Sequence, residues 1–218
     1  MFIWPDTAKL QGKYHDIIDC LVAALEARDP YTEGHSMRVA DMALDLARRI
    51  GLKGAELEET HIAAHLHDIG KIGVPDRILQ KPGRLLAHER AAVELHPVIG
   101  CNILSRSRRL KKIALIVQYH HERWDGKGYP SGLKGEAIPL GSRVIAICDA
   151  VDAMTSKRPY RPPFSWQECR EKIVANKAAQ FDAVLVDAAE TLWPIWEKKW
   201  APQGVQGAAE AAVMLRQI

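Results

Sequence analysis

The first half of the chain carries apolar residues at helical spacing in three successive segments. These are YHDIIDCLVAALEARD, EGHSMRVADMALDLARRIG and AELEETHIAAHLHDIG. In each segment, apolar residues recur three or four positions apart, which is the spacing of one helix face. Pro30 stops the first helix, Gly51 is the expected C-cap of the second, and Gly70 is the expected end of the third.

The second half continues the same pattern in five segments. They are AHERAAVELHPVIGCNIL, LKKIALIVQYHHE, GSRVIAICDAVDAMTS, SWQECREKIVANKA and DAVLVDAAETLWPIWEKKW. The first of them holds one or two helices, because Pro97 suits the first turn of a second helix. Taken alone, Val144 to Cys148 also fits a buried strand, but Val151 and Met154 extend the helical spacing beyond it. We therefore expect a helix there.

Local signals agree with a helical fold. Ser165, followed by Glu168 three positions later, has the sequence pattern of a capping box. No segment shows the sustained period-two alternation of a half-buried strand, and the stretches rich in glycine and proline are short. These observations predict an all-α fold, a single compact bundle of about seven helices.

Composition narrows the classes of function. The 218 residues are 47% hydrophobic and 26% charged, which is ordinary for a soluble globular protein. The net charge of +3 is too small to indicate a nucleic-acid polymer as partner. No apolar run reaches membrane-spanning length, and the start lacks the pattern of a signal peptide. The four cysteines have no CxxC spacing, and three of them, Cys20 and Cys148 included, lie among apolar residues. They fit reduced core thiols, so we expect a cytoplasmic protein without membrane contact.

Acidic residues and histidines interrupt segments that otherwise have the composition of core. AAHLHDIGK places His67 and Asp68 at the end of an apolar helix, and CDAVDAM places Asp149 inside another. A buried carboxylate without a partner is costly. Histidine nitrogens with bridging carboxylates suit a divalent transition metal, so these residues indicate a shared cation.

Several of the nine histidines have simpler interpretations. His15 and His88 are read as ordinary helix residues. His61 and His65 lie four apart on one helix face, as in a zinc helix, yet Ile62 stands where that motif has a glutamate. Metal binding by this pair is therefore not expected.

The segments HDIGKIGVPD and HHERWDGKGYP together resemble the HD-GYP family, a branch of the HD phosphohydrolases. Further matching segments follow in the family's order: EARDPYTEGHSMRVA, DRILQKPGRL, HPVIG and GLKGEAIPLGSRVIAICDAVDAMTSKRPYR. The match covers Ala24 to Arg161 and continues more weakly to Val186. It implies an HD-GYP catalytic domain at residues 11–186, followed by a helical tail at 187–218. The segment DGKGYP, Asp125 to Pro130, would form an ordered loop, the GYP loop. The match also implies cleavage of cyclic di-GMP, a bacterial second messenger, at a site with two or three metals.

The resemblance implies seven metal ligands in this chain. They are His35, His67, Asp68, His96, His120, His121 and Asp149. Asp68 would bridge two metals, the first completed by His35, His67 and Asp149 and the second by the other three histidines. A hydroxide between the metals would attack phosphorus in line.

Further residues are implied as contacts of the substrate. They are Lys71, Gly128, Tyr129, Asp152, Arg158, Arg161 and Asp29. Lys71 would present its ammonium to the reacting phosphate, Tyr129 would stack on a guanine, and the two arginines would bind the second phosphate. The alternatives are a loop tyrosine packed on the bundle and arginines on a solvated basic loop.

The expected cofactors are two divalent metal ions, iron or manganese. Family members with three metals carry a glutamate one helical turn before the first ligand histidine. Here that position is Tyr31, and Glu33 would face away on a helix. A third metal is therefore not expected.

The implied function is hydrolysis of cyclic di-GMP to linear pGpG, to GMP, or to both. One alternative is hydrolysis of 3′,3′-cyclic GMP-AMP with the same metals. Another is a non-catalytic scaffold that acts through the GYP loop on a GGDEF-type or other signalling protein, although the intact ligand set argues against it. The tail adds Trp193, Trp196 and Trp200 on one helical stripe, which is typical of core and also compatible with a partner or a homodimer.

Overall fold

The computed structural model describes residues 11–28, 34–156 and 162–201, with side chains from residue 17 onward. Six residues singled out in the sequence lie outside the described residues. They are Asp29, Pro30, Tyr31, Glu33, Arg158 and Arg161.

Helices make up nearly all of the regular structure in the described ranges. The α-helices are α1 (Gln11–Arg28), α2 (His35–Arg49), α3 (Gly54–Leu66), α4 (Asp76–Leu79), α5 (Ala87–Val93), α6 (His96–Leu104), α7 (Lys111–Gln118), α8 (Leu140–Thr155), α9 (Trp166–Ala175) and α10 (Ala183–Trp200). Short 3-10 helices occupy Ile69–Gly73, Arg108–Leu110 and Gly135–Ala137. Within the described residues the all-α prediction is confirmed, since an isolated bridge between Lys177 and Phe181 is the one β feature.

The core lies where α2, α3 and α8 pack together. On α2, Val39, Ala43 and Leu46 are fully buried and share one face at helical spacing. Ala63 of α3 and Val151 of α8 are fully buried as well. The small alanines let the helix backbones approach closely, which brings the polar ends of these helices to one place.

Two sequence signals correctly predicted local structure. Val144 to Cys148 lies inside α8 and is helical. The capping box before α9 is present: the Glu168 backbone N–H donates to Ser165 Oγ over 3.2 Å, and the Ser165 N–H donates to Glu168 Oε2 over 2.8 Å. Each bond gives an acceptor to a backbone N–H group at the exposed start of the helix.

The two glycines expected to end helices differ in their roles. Gly51 follows α2 with a φ of 89°, and the N–H groups of Gly51 and Leu52 donate to Arg48 and Ala47, which is a Schellman motif. Gly70 does not end α3, because that helix stops at Leu66 and Gly70 lies in the 3-10 turn that follows. A β-carbon at Gly70 would come 1.8 Å from the carbonyl oxygen of His96, so this glycine permits close backbone packing instead.

The tryptophan stripe on α10 belongs to the core. Trp193 and Trp196 are buried, and Trp196 Nε1 donates to Asp45 Oδ2 over 3.2 Å. The expected boundary between the catalytic domain and the tail, between residues 186 and 187, falls inside α10. The described part of the tail therefore packs on the same core.

The expectation that Cys20 is a core thiol was wrong, since Cys20 is exposed on α1. Among the described residues no helix combines the length and apolar character that crossing a membrane requires.

Candidate metal centre

Five structural elements bring the seven predicted ligands to one place. His35 and His96 are the first residues of α2 and α6, His67 and Asp68 follow α3, His120 and His121 follow α7, and Asp149 lies within α8. Five of these side chains are buried, whereas His121 and Asp149 are partly exposed. The centre therefore lies within the bundle and opens to solvent on the side of those two residues.

The ligand atoms form two groups with a connection between them. One group contains His35, His67 and Asp149, and the other contains the three histidines His96, His120 and His121. A third group, of His67, Asp68 and His120, shares members with both. Within each group the ligand atoms lie within 4.8 Å of one another. The His and Asp clusters are therefore consistent with a metal site.

The carboxylate of Asp68 lies between the two groups. Its Oδ2 is 3.5 Å from His67 Nε2 and 3.7 Å from His35 Nε2. Its Oδ1 is 3.4 Å from His96 Nε2 in the other group. Each oxygen faces a different set of histidines, which is the arrangement that a bridging carboxylate needs.

Backbone carbonyls fix the orientation of three of the histidine rings. The Nδ1 atoms of His67, His96 and His120 lie 2.7, 2.8 and 2.6 Å from the carbonyl oxygen three residues earlier in the chain. Because a carbonyl oxygen only accepts, each Nδ1 carries the hydrogen, and Nε2 is the ring nitrogen that remains to bind a metal. Such fixed tautomers are typical of metal-binding histidines.

The donor set itself fits a cation. His96 Nε2 lies 3.3 Å from His120 Nε2, and burial lowers the pKa of both imidazoles. Two neutral rings therefore direct lone pairs at each other, which a positive ion between them would stabilise. On the other side, His35 Nε2 lies 3.2 Å from His67 Nε2.

Charge in the centre favours ionised carboxylates and, at its exposed side, a neutral imidazole. Burial raises the pKa of Asp68, but Lys71 and the neighbouring histidines outweigh it and hold that pKa well below its usual range. The pKa of Asp149 is likewise lowered, because His35 and other histidines outweigh the effect of burial. Burial lowers the pKa of His121 to about 4. Metal ligands must be deprotonated, and these groups are deprotonated at neutral pH.

Asp152 lies beneath the centre, behind His35. It is buried, and its carboxylate accepts from His35 Nδ1 over 2.7 Å and from Arg38 Nε over 2.5 Å. Ser156 Oγ donates to it as well, over 3.1 Å. These contacts orient the His35 ring, whereas the substrate contact expected from the sequence stays a prediction. Sequence reasoning missed Arg38, although it lies one helical turn after His35.

Lys71 reaches the centre from the 3-10 turn. Its Nζ donates to Asp68 Oδ2 over 2.6 Å, and its side chain is 17% exposed. The ammonium therefore lies beside the carboxylate that separates the two histidine groups. That position is compatible with the predicted contact to a phosphate, which stays a prediction.

The GYP loop packs directly on the backbone that carries His121. A β-carbon at Gly128 would come 2.4 Å from Arg123 N and 2.6 Å from His121 O, so only glycine fits there without a shift. The ring of the next residue, Tyr129, lies 4.9 Å from the His121 ring and is partly exposed. Sequence reasoning missed the buried Glu122, whose Oε1 accepts from the Ser131 N–H over 2.7 Å and so holds the loop. Its only sequence signal was its place directly after the histidine pair.

Comparison with known proteins gives consistent matches. A family profile described as "HD domain" matches residues 19–185. The 3′3′-cGAMP-specific phosphodiesterase 2 of Vibrio cholerae is 41% identical over 180 residues, which are 82% of this chain and 34% of that protein. The cyclic di-GMP phosphodiesterase response regulator RpfG of Xanthomonas campestris is 39% identical over 182 residues, 83% of this chain and 48% of that protein. The chain thus spans about a third to a half of the length of these relatives.

A solved structure supports the fold. The crystal structure of a cyclic GMP-AMP specific phosphodiesterase of V. cholerae aligns with a TM-score of 0.65 at 18% identity. The alignment covers 88% of this chain and 52% of that one. At this identity the likeness supports the helical fold alone and gives no information about the substrate.

Proposed function

We infer the function from the family to which this chain belongs, the HD domain family in its HD-GYP branch, and we propose that it is a metal-dependent phosphodiesterase of cyclic dinucleotides. The preferred substrate in this proposal is cyclic di-GMP, hydrolysed to linear pGpG, to GMP, or to both. The observation that carries the proposal is the convergence of five histidines and two aspartates on one centre beside the GYP loop.

The residues present fit two metal ions. His35, His67 and Asp149 would hold the first, His96, His120 and His121 would hold the second, and Asp68 would join them. When bound, such ions supply an activated water for attack on phosphorus and neutralise charge on the phosphate.

The protein's own residues have distinct parts in this chemistry. The backbone carbonyls behind His67, His96 and His120 hold the rings in place, so no reorganisation is needed when the substrate arrives. Lys71 would donate a hydrogen bond to a phosphate oxygen and stabilise the negative charge that develops there. Tyr129, partly exposed beside His121, would offer a ring face to one base.

A second substrate has a specific observation in its favour. The V. cholerae relative at 41% identity is named as specific for 3′3′-cGAMP, whereas the X. campestris relative is named for cyclic di-GMP. The metal chemistry would be the same for both. Hydrolysis rates on a panel of cyclic di-GMP, 3′,3′-cyclic GMP-AMP and cyclic di-AMP, measured with the same metal-loaded protein, separate the candidates. Turnover of none of the three would contradict the proposed function and would favour a scaffold that binds a GGDEF-type or other protein through the GYP loop.

Substitution of Arg158 and Arg161 tests the predicted contact to the second phosphate. We expect Arg158→Ala and Arg161→Ala to raise the Michaelis constant about tenfold or more while the saturated rate changes little. A phosphate that does not react is bound equally in the ground state and the transition state. Steady-state kinetics over a range of substrate concentration measures both constants. A large fall in the saturated rate at an unchanged Michaelis constant would place these arginines in the chemistry instead.

Metal analysis tests the proposed cofactors. We expect two ions per chain, with the highest activity for iron or manganese under reducing conditions, since a histidine-rich site with bridging carboxylates accepts these metals. Zinc or nickel would occupy the site with a lower rate. Anomalous scattering at the metal absorption edges of crystals counts the ions directly. A well-occupied third ion beside His35 would contradict the argument from Tyr31.

A further inference from the structure

We propose that Glu26 and Arg28, in the last turn of α1, are positioning residues for the metal centre. Neither side chain is among the predicted ligands or substrate contacts. Together they hold the two separate backbone segments that carry His35 and Asp68. The inference deepens the proposed function and rests on it for the identity of the reaction, but the contacts themselves are independent of the substrate.

Arg28 binds the backbone of the turn that follows Asp68. Its Nη1 donates to the carbonyl oxygens of Lys71 and Ile72 over 3.1 and 2.5 Å, and its Nη2 donates to that of Val74 over 2.6 Å. Its Nε donates to Asp76 Oδ1 over 2.8 Å. The planar guanidinium thus uses its fork of donors on three backbone carbonyls of one turn, which a lysine ammonium is poorly shaped to do.

The carbonyls that Arg28 holds belong to the turn that places Asp68 and Lys71. In that turn the Lys71 N–H donates to the Asp68 carbonyl over 2.9 Å, and the Val74 N–H donates to the Lys71 carbonyl over 3.0 Å. The Lys71 side chain then returns to Asp68 Oδ2. The last carbonyls of such a turn need donors from outside it. Arg28 supplies donors to the Ile72 and Val74 carbonyls and a second donor to the Lys71 carbonyl. The ion pair with Asp76 adds little, because the Asp76 side chain is 62% exposed.

Glu26 acts in the same way on the start of α2. The residue before that helix, Gly34, offers no side chain to cap it, although the first backbone N–H groups of a helix need acceptors. Glu26 Oε2 accepts from the Gly34 N–H over 3.0 Å, and Oε1 accepts from the Ser36 N–H over 3.3 Å. The carboxylate also complements the positive end of the helix dipole. His35 lies between the two residues whose N–H groups are bound.

The last turn of α1 is itself anchored on the core. Leu25 is 5% exposed and Val22 is 6% exposed, so the turn has a fixed position from which Glu26 and Arg28 extend. In return, Gln80 Nε2 donates to the Arg28 carbonyl over 3.0 Å. Glu26 holds the segment that carries His35, a ligand of the first metal alone. Arg28 holds the turn after Asp68, whose two oxygens face both histidine groups. The proposal therefore predicts that Glu26 affects the first site and that Arg28 affects both.

The test uses Arg28→Ala and Glu26→Ala, with Arg77→Ala as the matched control. Arg77 is an exposed arginine on the neighbouring helix α4. Amide hydrogen exchange of the metal-free protein is the first readout, because it requires neither metal nor substrate. We expect Arg28→Ala to speed exchange at residues 71–76 and Glu26→Ala to speed it at residues 34–38, each about tenfold or more, while Arg77→Ala leaves both segments unchanged.

Metal titration is the second readout. We expect Glu26→Ala to weaken one Mn²⁺ site by about 10–100-fold, the usual effect of losing a partner behind the ligands, and to leave the other site near its original affinity. Arg28→Ala should weaken both sites, because Asp68 faces both histidine groups. Turnover at saturating Mn²⁺ and substrate should recover most of the original rate. Arg28→Lys should restore little of the affinity, and Asp76→Ala should lower it much less than Arg28→Ala does.

The outcomes separate this inference from the proposed function. Faster exchange and weakened Mn²⁺ binding would support the positioning role even if no cyclic dinucleotide were hydrolysed. If Arg28→Ala does not fold, Arg28→Lys provides the same measurements. Unchanged exchange with unchanged Mn²⁺ affinity in the variants would overturn the inference, and so would equal weakening of both sites by Glu26→Ala.

Discussion

Replacing Asp68 with alanine is expected to abolish turnover and to remove most of the bound metal. Its two oxygens face different histidine groups, at 3.5 Å from His67 and 3.4 Å from His96. One substitution therefore damages both halves of the centre, and it also leaves the Lys71 ammonium without the carboxylate it binds over 2.6 Å. We expect the rate to fall by at least about 1000-fold, since loss of preorganised charge stabilisation alone costs 100- to 1000-fold.

The measurement combines steady-state turnover with metal analysis of the same sample. Asp187→Ala is a suitable control, because this exposed aspartate on α10 bonds Lys177 far along the chain from every predicted ligand. It should keep full metal content and full rate. Asp68→Ala with full metal content and a near-normal rate would remove the bridging role from Asp68.

Gly70→Ala should have the second-largest effect, on stability and on the centre together. The added β-carbon would lie 1.8 Å from the His96 carbonyl oxygen and 2.5 Å from the Gly100 nitrogen. Both atoms are backbone, so no side-chain rotation relieves the overlap. The 3-10 turn must then move away from α6, which separates Asp68 from His96. We expect a loss of about 1–3 kcal/mol or more in the free energy of unfolding, the usual cost of overpacking, with a large loss of turnover.

Gly73→Ala, in the same turn, is the matched control. The nearest atoms to a β-carbon there belong to the Ile99 side chain, the closest at 2.9 Å, and a side chain can adjust where backbone cannot. Urea unfolding measures the stability of both variants, and metal analysis follows the centre. Equal stability and equal metal content for Gly70→Ala and the unsubstituted protein would show that the turn does not need this close approach.

Much of the fold was predictable because it depends on neighbours in the chain. Apolar spacing identified α8 as a helix, and Ser165 with Glu168 identified the start of α9, since both signals act within one or two helical turns. The ligand set was predictable for a different reason. His67, Asp68 and the His120–His121 pair lie in motifs whose order resembles a known family, and the structure brings those residues together.

The remaining features depend on segments that are far apart in sequence. Asp152 lies 117 positions after His35, whose ring it orients, and no local pattern connects the two. Gly70 was interpreted as the end of a helix because glycine commonly has that role, whereas its actual role depends on the backbone of α6. The contacts of Arg28 with the turn after Asp68 span more than 40 positions and become visible only once α1 is packed.

Turnover of cyclic di-GMP by protein of known metal content tests the central claim most directly. The protein is purified without oxygen, stripped of metal, and titrated with Mn²⁺ or Fe²⁺ while product and bound ion are measured in parallel. The proposed two-metal mechanism predicts no hydrolysis in the stripped protein and a rate that rises to its maximum as two ions bind per chain. Hydrolysis at full rate without metal, or two bound ions with no hydrolysis of any cyclic dinucleotide, would contradict it.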